Sequence, residues 1–290
     1  MVAGVAGARK TGHAGTLDPL ATGVLIVCVG RATLLTSYLG GGTKRYRVRA
    51  LLGVETDSCD IEGKVTETAD ASGIDVDAVR GAAAGLCGRT VQVPPAYSAV
   101  RSGGRRLYEY ARQGLEPPFV EREISVESIV VEGIDRGASG PEAVLDITCG
   151  PGTYVRGLVR DIGRTLGCGA TVAALRRVRS GEFLVENCGA IAVLESSGLE
   201  GHALSLEDAT AWMPTLCTPG DAALAASMGK PLPVGIEGMG PVDGAFRVLD
   251  PQGRLIALYG PAREGDEDWI AARALRVLRP HNAGENDEAA

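Results

Sequence analysis

Between residues 142 and 166 the chain changes its hydrophobic period, and that change restricts the fold more than any other feature. In EAVLDITCG, Ala143, Leu145, Ile147 and Cys149 alternate with Glu142, Val144, Asp146 and Thr148, the period of a strand with two distinct faces. After Gly150-Pro151-Gly152 the period becomes helical: Val155, Leu158, Val159, Ile162 and Leu166 of TYVRGLVRDIGRTLG share one stripe, while Arg156, Arg160 and Arg164 recur every fourth residue on another. KRYRVRALLGV (44–54) and REISVESIVVEGI (122–134) are further strand candidates, and VDAVRGAAAGLCG is a helix ended by glycine. The elements do not alternate in a βαβ rhythm, and neither a P-loop nor G-x-G-x-x-G occurs. The expectation is an α+β fold around a mostly antiparallel mixed sheet.

A chain of 290 residues, 45% apolar, buries a sizeable core and has room for one large or two modest domains. Past residue 215, TLCTPGDAALAASMGKPLP reads as a short helix; the strand-like runs of GAFRVLDPQGRLIALYG then flank the turn-forming Asp250-Pro251-Gln252-Gly253, and ALRVLRP follows. The expected division is a catalytic domain over 1–212, a compact β-rich domain over 215–280, and a disordered acidic tail over 281–290. No apolar run approaches a membrane span and no signal-peptide pattern precedes Val24–Val29, so the expected location is cytoplasmic. Seven cysteines without C-x-x-C spacing read as reduced core thiols, with no metal site.

The net charge of −7 hides a strong polarity. Residues 1–50 carry seven basic side chains and a single acid, Asp18; residues 151–180 carry six arginines against Asp161; residues 181–290 carry seven basic against seventeen acidic groups. Arg101, Arg105, Arg106 and Arg112 form a third basic cluster. Three separate clusters point to a polyanion, with phosphate the natural candidate. Asp18-Pro19 alone reads as a turn start. In a basic segment with glycines 12, 15 and 23 around it, it reads instead as an ion-paired carboxylate, nucleophile or base, in a loop needing unusual torsions or a close approach. Tyr46, within a basic strand, offers a flat face for stacking a base.

GHAGTLDPLATG resembles the aspartate motif of the TruB branch of the pseudouridine synthases. The likeness continues through KRYRVRALLGVETDSCDIEG, VQVPPAYSAVRSGGRRLYEYARQG and GTYVRGLVRDIGRTLGCGATVAALRR, four motifs in the family's order. The resemblance implies that Asp18 is the catalytic aspartate, that Tyr46 stacks on the target base and that Arg156 pairs with the aspartate. It implies that Tyr154 and Leu175 line the uridine pocket, and that His13, flanked by Gly12 and Gly15, fills the space left by the flipped nucleotide. Lys44, Arg45, Arg105 and Arg106 are then expected along the RNA backbone. VPPAYSAVRSGGRRLYEYARQG becomes a thumb-like insert at about 92–116, and the C-terminal domain is PUA-like.

The implied reaction converts uridine to pseudouridine at position 55, in the TΨC loop of tRNA, without metal or cofactor. The target base must be extruded from its stack, at a cost of a few kcal/mol. Ionised Asp18 then attacks C1′ or C6, or assists deprotonation at C2′; the residues leave these routes open. The implied partner is the tRNA TΨC stem-loop, bound by a monomer without guide RNA. Two rival readings are a catalytically silent tRNA-binding protein of the same fold and a guide-RNA-dependent synthase. The chain starts ten residues before TGHAG, so the resemblance also implies a shortened N-terminus that lacks the family's first strand.

Overall fold

The computed structural model describes residues 2–199 and 201–279; the expected acidic tail lies outside the described residues. The chain divides into two compact units, and the division is not contiguous. One unit comprises Thr16–Leu25 and Gly41–Asn187; the other comprises Met1–Gly15, Ile26–Gly40 and Cys188–Ala290. This differs from the expected split at 212–215, and the pairing explains the difference. Thr11–Ala14 forms an antiparallel ladder with Ile26–Val29, and the Arg31 guanidinium donates to the Leu278 carbonyl at 2.9 Å. A shift in composition along the chain carries no information about such distant partners.

The first unit is built on a seven-stranded sheet. Its strands are β1 (Thr22–Gly23), β2 (Lys44–Leu52), β3 (Gly88–Gln92), β4 (Arg122–Gly137), β5 (Gly140–Cys149), β6 (Ala170–Ser180) and β7 (Phe183–Leu184). They run in the order β7-β6-β2-β5-β4-β3, with β1 added parallel to β6 and every other pairing antiparallel. Its helices include α1 (Val76–Ala84), α2 (Leu107–Arg112) and α3 (Val155–Thr165). The alternation in β5 is realised: Ala143, Leu145, Ile147 and Cys149 are all buried. Across the ladder, Leu145 and Leu175 both face Val48, while Ile147 and Arg177 both face Tyr46. Val155, Leu158, Val159 and Ile162 of α3 close the same core.

Strand periodicity also sorts the basic residues of β2. Lys44, Tyr46, Val48, Ala50 and Leu52 point into the core, while Arg45, Arg47 and Arg49 point to the other face. There Arg45 meets Asp146 at 2.7 Å, and Arg49 meets Glu142 at 2.6 Å and Asp135 at 2.8 Å. The two Arg49 pairs are exposed or half-exposed and worth at most about 1 kcal/mol each, whereas the half-exposed Arg45 is held against a buried Asp146.

In the second unit, five strands form another sheet: β8 (Thr215–Cys217), β9 (Leu232–Pro233), β10 (Phe246–Leu249), β11 (Leu255–Pro261) and β12 (Ile270–Val277), in the order β8-β10-β11-β12-β9. Leu216, Ala226, Leu232, Val248, Ala257 and Tyr259 make its core, with α4 (Gly220–Ser227) packed on it. The turn expected at Asp250 is present: its carboxylate accepts from the Gln252 and Arg254 amides, both at 2.9 Å. The cysteines depart in part from the expected core thiols. Cys28, Cys59, Cys149 and Cys168 are buried, but Cys87, Cys188 and Cys217 are exposed. Burial pushes the Cys149 thiol up to about 11, so it stays a neutral core group.

Of the three loop glycines, Gly15 and Gly23 have positive φ, +90° and +99°. Gly12 does not, and a Cβ there would meet only Thr36 and Thr33 methyls at 3.5 and 3.7 Å, so the expected backbone demand is absent at that position. A Cβ on Gly23 would lie 2.1 Å from the Arg177 carbonyl oxygen. Gly23→Ala is therefore expected to lower stability by at least about 1–3 kcal/mol in urea unfolding, combining φ strain with a backbone clash. Gly12→Ala should stay within about 0.5 kcal/mol of the parent.

Candidate active site

The site assembles on one arginine. Arg156 lies in the first turn of α3, where the helical stripe of arginines begins inside the protein and runs outward. Arg156 is buried, Arg160 is half-buried and donates to the Val93 carbonyl at 2.9 Å, and Arg164 is exposed and paired with Glu55 at 3.1 Å. The Arg156 guanidinium grips Asp18 in a fork: Nε donates to Oδ2 at 2.9 Å and Nη2 to Oδ1 at 2.8 Å. Nη1 donates to the Ser58 carbonyl at 2.7 Å and lies 3.3 Å from an Asp60 carboxylate oxygen; Nη2 also donates to the Tyr97 carbonyl at 3.0 Å. One cation thus joins two carboxylates and two loops.

Access distinguishes the two carboxylates. The side chains of Arg156 and Asp60 are 5% and 6% exposed, but that of Asp18 is 29% exposed. Asp60 is further fixed by the Ser58 hydroxyl at 2.6 Å and the Glu62 amide at 3.1 Å. Asp18 keeps the open side of the network and is the group that can meet a substrate. Cys59, between the Ser58 carbonyl and Asp60, has φ +61°, the only positive φ of a non-glycine residue among the described residues. That turn lets consecutive residues present a carbonyl and a carboxylate to the same guanidinium, a cost of the kind proteins concentrate at functional sites.

Tyr46 lies on β2, directly across the ladder from Arg177. It is 8% exposed, and burial raises its hydroxyl pKa while the charge and hydrogen bond of Arg177 pull it down. Leu175, one pleat along β6, is buried with Tyr46 in the same cluster. Tyr154 stands just before α3 and is held by Gln92: the Tyr154 amide donates to the Gln92 side-chain carbonyl at 2.9 Å, and the Gln92 amide donates to the Tyr154 carbonyl at 3.0 Å. This reciprocal pair supplies the cap that the start of α3 otherwise lacks. His13 lies in the other unit, on Thr11–Ala14, opposite Val27.

Two of the four residues expected along RNA backbone are elsewhere engaged. Lys44 is buried, with its ammonium donating to the Gly42 carbonyl at 2.7 Å; burial lowers its pKa and the Arg177 charge adds to that. Arg45 sits on the sheet face opposite Tyr46, committed to Asp146. Charge count cannot reveal which face of a strand a basic residue takes. Arg105 and Arg106 do reach the surface, on a two-stranded hairpin made by Arg101–Ser102 and Arg105–Arg106, followed by α2. The guanidinium carbons of Arg106 and Arg112 lie 5.8 and 5.2 Å from the Tyr108 ring centre, which holds two cations on one aromatic.

Sequence reasoning passes over Asp60 and Arg177. Asp60 lies inside the segment TDSCDIEG, and Arg177 shares the strand parity of Leu175, so period two already places it on the core side.

A carboxylate left half-open at the end of a buried ion-pair network belongs to an enzyme rather than to a passive binder of polyanions, which gains nothing from a fixed negative charge. The chain belongs to the TruB family of pseudouridylate synthases. The family's N-terminal domain matches residues 4–155, and the tRNA pseudouridylate synthase B C-terminal domain matches residues 156–211. The chain is 43% identical over 212 residues to tRNA pseudouridine synthase B of Clostridium perfringens, covering 72% of this chain and 70% of that protein. It is 37% identical over 254 residues to tRNA pseudouridine synthase B of Thiobacillus denitrificans, covering 87% and 82%. Among solved structures, a chain of a Cbf5-Nop10-Gar1 complex superposes with a TM-score of 0.70 at 25% identity, covering 96% of this chain and 79% of that one.

Proposed function

We propose that this chain isomerises uridine to pseudouridine at position 55, in the TΨC loop of tRNA, acting as a monomer without a guide RNA. The observation that carries the proposal is the forked Arg156–Asp18 pair, with Asp18 on its accessible side. Relatives more than 40% identical are named tRNA pseudouridine synthase B, and this favours tRNA as the substrate over a guide-dependent target.

The chemistry suits these groups. The N1–C1′ bond breaks, the uracil turns, and C5 joins C1′; the C5 proton leaves to solvent and N1 gains one, so no redox partner enters. A base extruded from its loop stacks on Tyr46 while Leu175 and Tyr154 bound the pocket. Asp18, oriented by Arg156, acts at the sugar–base junction. His13, between Gly12 and Gly15, fills the gap the base leaves in the RNA. The five-stranded C-terminal sheet serves as a PUA-like second RNA surface, and the site of action is the cytoplasm, as befits an enzyme of bacterial tRNA.

The exposed Arg101 and Arg105 of the hairpin, the half-buried Arg106 beside them and the exposed Arg112 of α2 are the natural phosphate ligands. Replacing Arg101 and Arg105 by glutamine is expected to weaken tRNA binding and to reduce the slope of log K against log salt by about 1 for each phosphate no longer neutralised. The reaction itself is tested by incubating the protein with unmodified tRNA transcript and mapping pseudouridine by carbodiimide-dependent reverse-transcription stops. A single new stop at the TΨC-loop uridine is expected. Bound tRNA with no stop would instead favour a silent binder of the same fold.

A further inference from the structure

We propose that Arg177 is a positioning residue for Asp18, clamping the segment that carries the carboxylate to the sheet that carries Tyr46. The inference rests on the isomerase reading above and names a residue through which that site is held in shape.

Arg177 is 1% exposed, among the largest fully buried side chains of the protein. On β6 it lies between β2 and β1, opposite Tyr46 on one side and Gly23 on the other. Its backbone carbonyl accepts the Val24 amide at 2.9 Å, and its Nε donates to the Val24 carbonyl at 2.8 Å. One residue therefore takes both backbone groups of Val24. Its Nη1 reaches the Thr16 carbonyl at 3.2 Å. Thr16 and Val24 bracket Asp18, so the guanidinium staples both ends of a loop with the carboxylate inside it. Across the β6–β2 ladder the same residue lies opposite Tyr46.

Two arginines thus divide the work. Arg156 holds the carboxylate directly, whereas Arg177 fixes the main chain that delivers it. The planar guanidinium is suited to this because its donors diverge at fixed angles toward separate carbonyls. A lysine keeps the charge and much of the volume, but a point-like ammonium cannot reach the Thr16 and Val24 carbonyls together. The close approach of Gly23 to the Arg177 carbonyl belongs to the same clamp, since no other residue lets the loop backbone lie so near the strand.

The test compares the parent with Arg177→Lys by single-turnover pseudouridine formation, tRNA binding, urea unfolding and hydrogen exchange over residues 16–25. For a folded Arg177→Lys, the single-turnover rate should fall about 10- to 100-fold while the tRNA Kd changes less than about twofold, because misplacement of a catalytic group costs rate rather than affinity. Exchange at Val24 should be slow in the parent and faster in the variant. A folded variant with parental rate overturns the proposal, as does a parent whose Val24 amide exchanges like an open loop, a result that needs no variant to fold. If the parent makes no pseudouridine, the isomerase reading fails separately; the clamp is then decided by exchange, and equal exchange in parent and Arg177→Lys overturns it.

Discussion

Replacing Asp18 by asparagine is expected to lower the single-turnover rate of pseudouridine formation by at least about 10²- to 10⁴-fold while leaving tRNA binding within a few-fold of the parent. Asparagine has nearly the same shape and can accept one of the two Arg156 hydrogen bonds, so the fold of the segment survives. What it lacks is the negative charge, and every route from uridine to pseudouridine that these residues support starts from an ionised carboxylate. The side chain is also the most accessible member of its network, so its loss strands no buried group other than Arg156, which retains Asp60. A filter-binding titration beside the rate measurement separates the two quantities. If both fall together, Asp18 contributes to binding rather than to the chemical step.

Arg156→Met should show the second large effect, and here stability and activity fail together. The substitution removes the cation paired with Asp60, a carboxylate that is 6% exposed, and takes a donor from the Ser58 and Tyr97 carbonyls. Breaking a buried pair from one side costs about 3–5 kcal/mol, since it leaves an uncompensated charge. A urea midpoint shift of that size is expected, with pseudouridine formation reduced beyond detection. The double variant Arg156→Met with Asp60→Asn should recover part of the stability, because the stranded charge is gone, and none of the activity, because Asp18 remains unheld. Recovery of activity in the double variant would show that Arg156 acts only on the fold.

How much of this is legible in the sequence depends on which physical signal each residue carries. The faces of β5 and the apolar stripe of α3 are open to reading, because a one-sided core imposes period two and period 3.6 directly. The meeting of Asp18 with Arg156, 138 positions apart, is not a matter of periodicity; it follows from the family motifs, and the geometry agrees. Buried charge is the weak point. Arg156, Asp60, Lys44 and Arg177 are all buried, yet hydropathy counts every charged side chain as surface, so Asp60 and Arg177 attract no notice and Lys44 is expected on RNA. Strand parity corrects this, since Lys44 and Tyr46 share one face of β2 while Arg45 takes the other. The division of the chain escapes composition as well, because Thr11–Ala14 finds its partner at Ile26–Val29, and Arg31 reaches Leu278, across a segment that belongs to the other unit.

In the isomerisation proposed for Asp18, C5 of uracil replaces N1 at C1′. That exchange must expel the hydrogen on C5, so tRNA transcribed with tritium at the C5 positions of uridine gives a direct count. Release of one uridine's share of the tritium per tRNA is expected with the parent protein, and none above background with Asp18→Asn under the same single-turnover conditions. Tritium released by both proteins at the same rate, or tRNA held tightly by the parent without release, would contradict it.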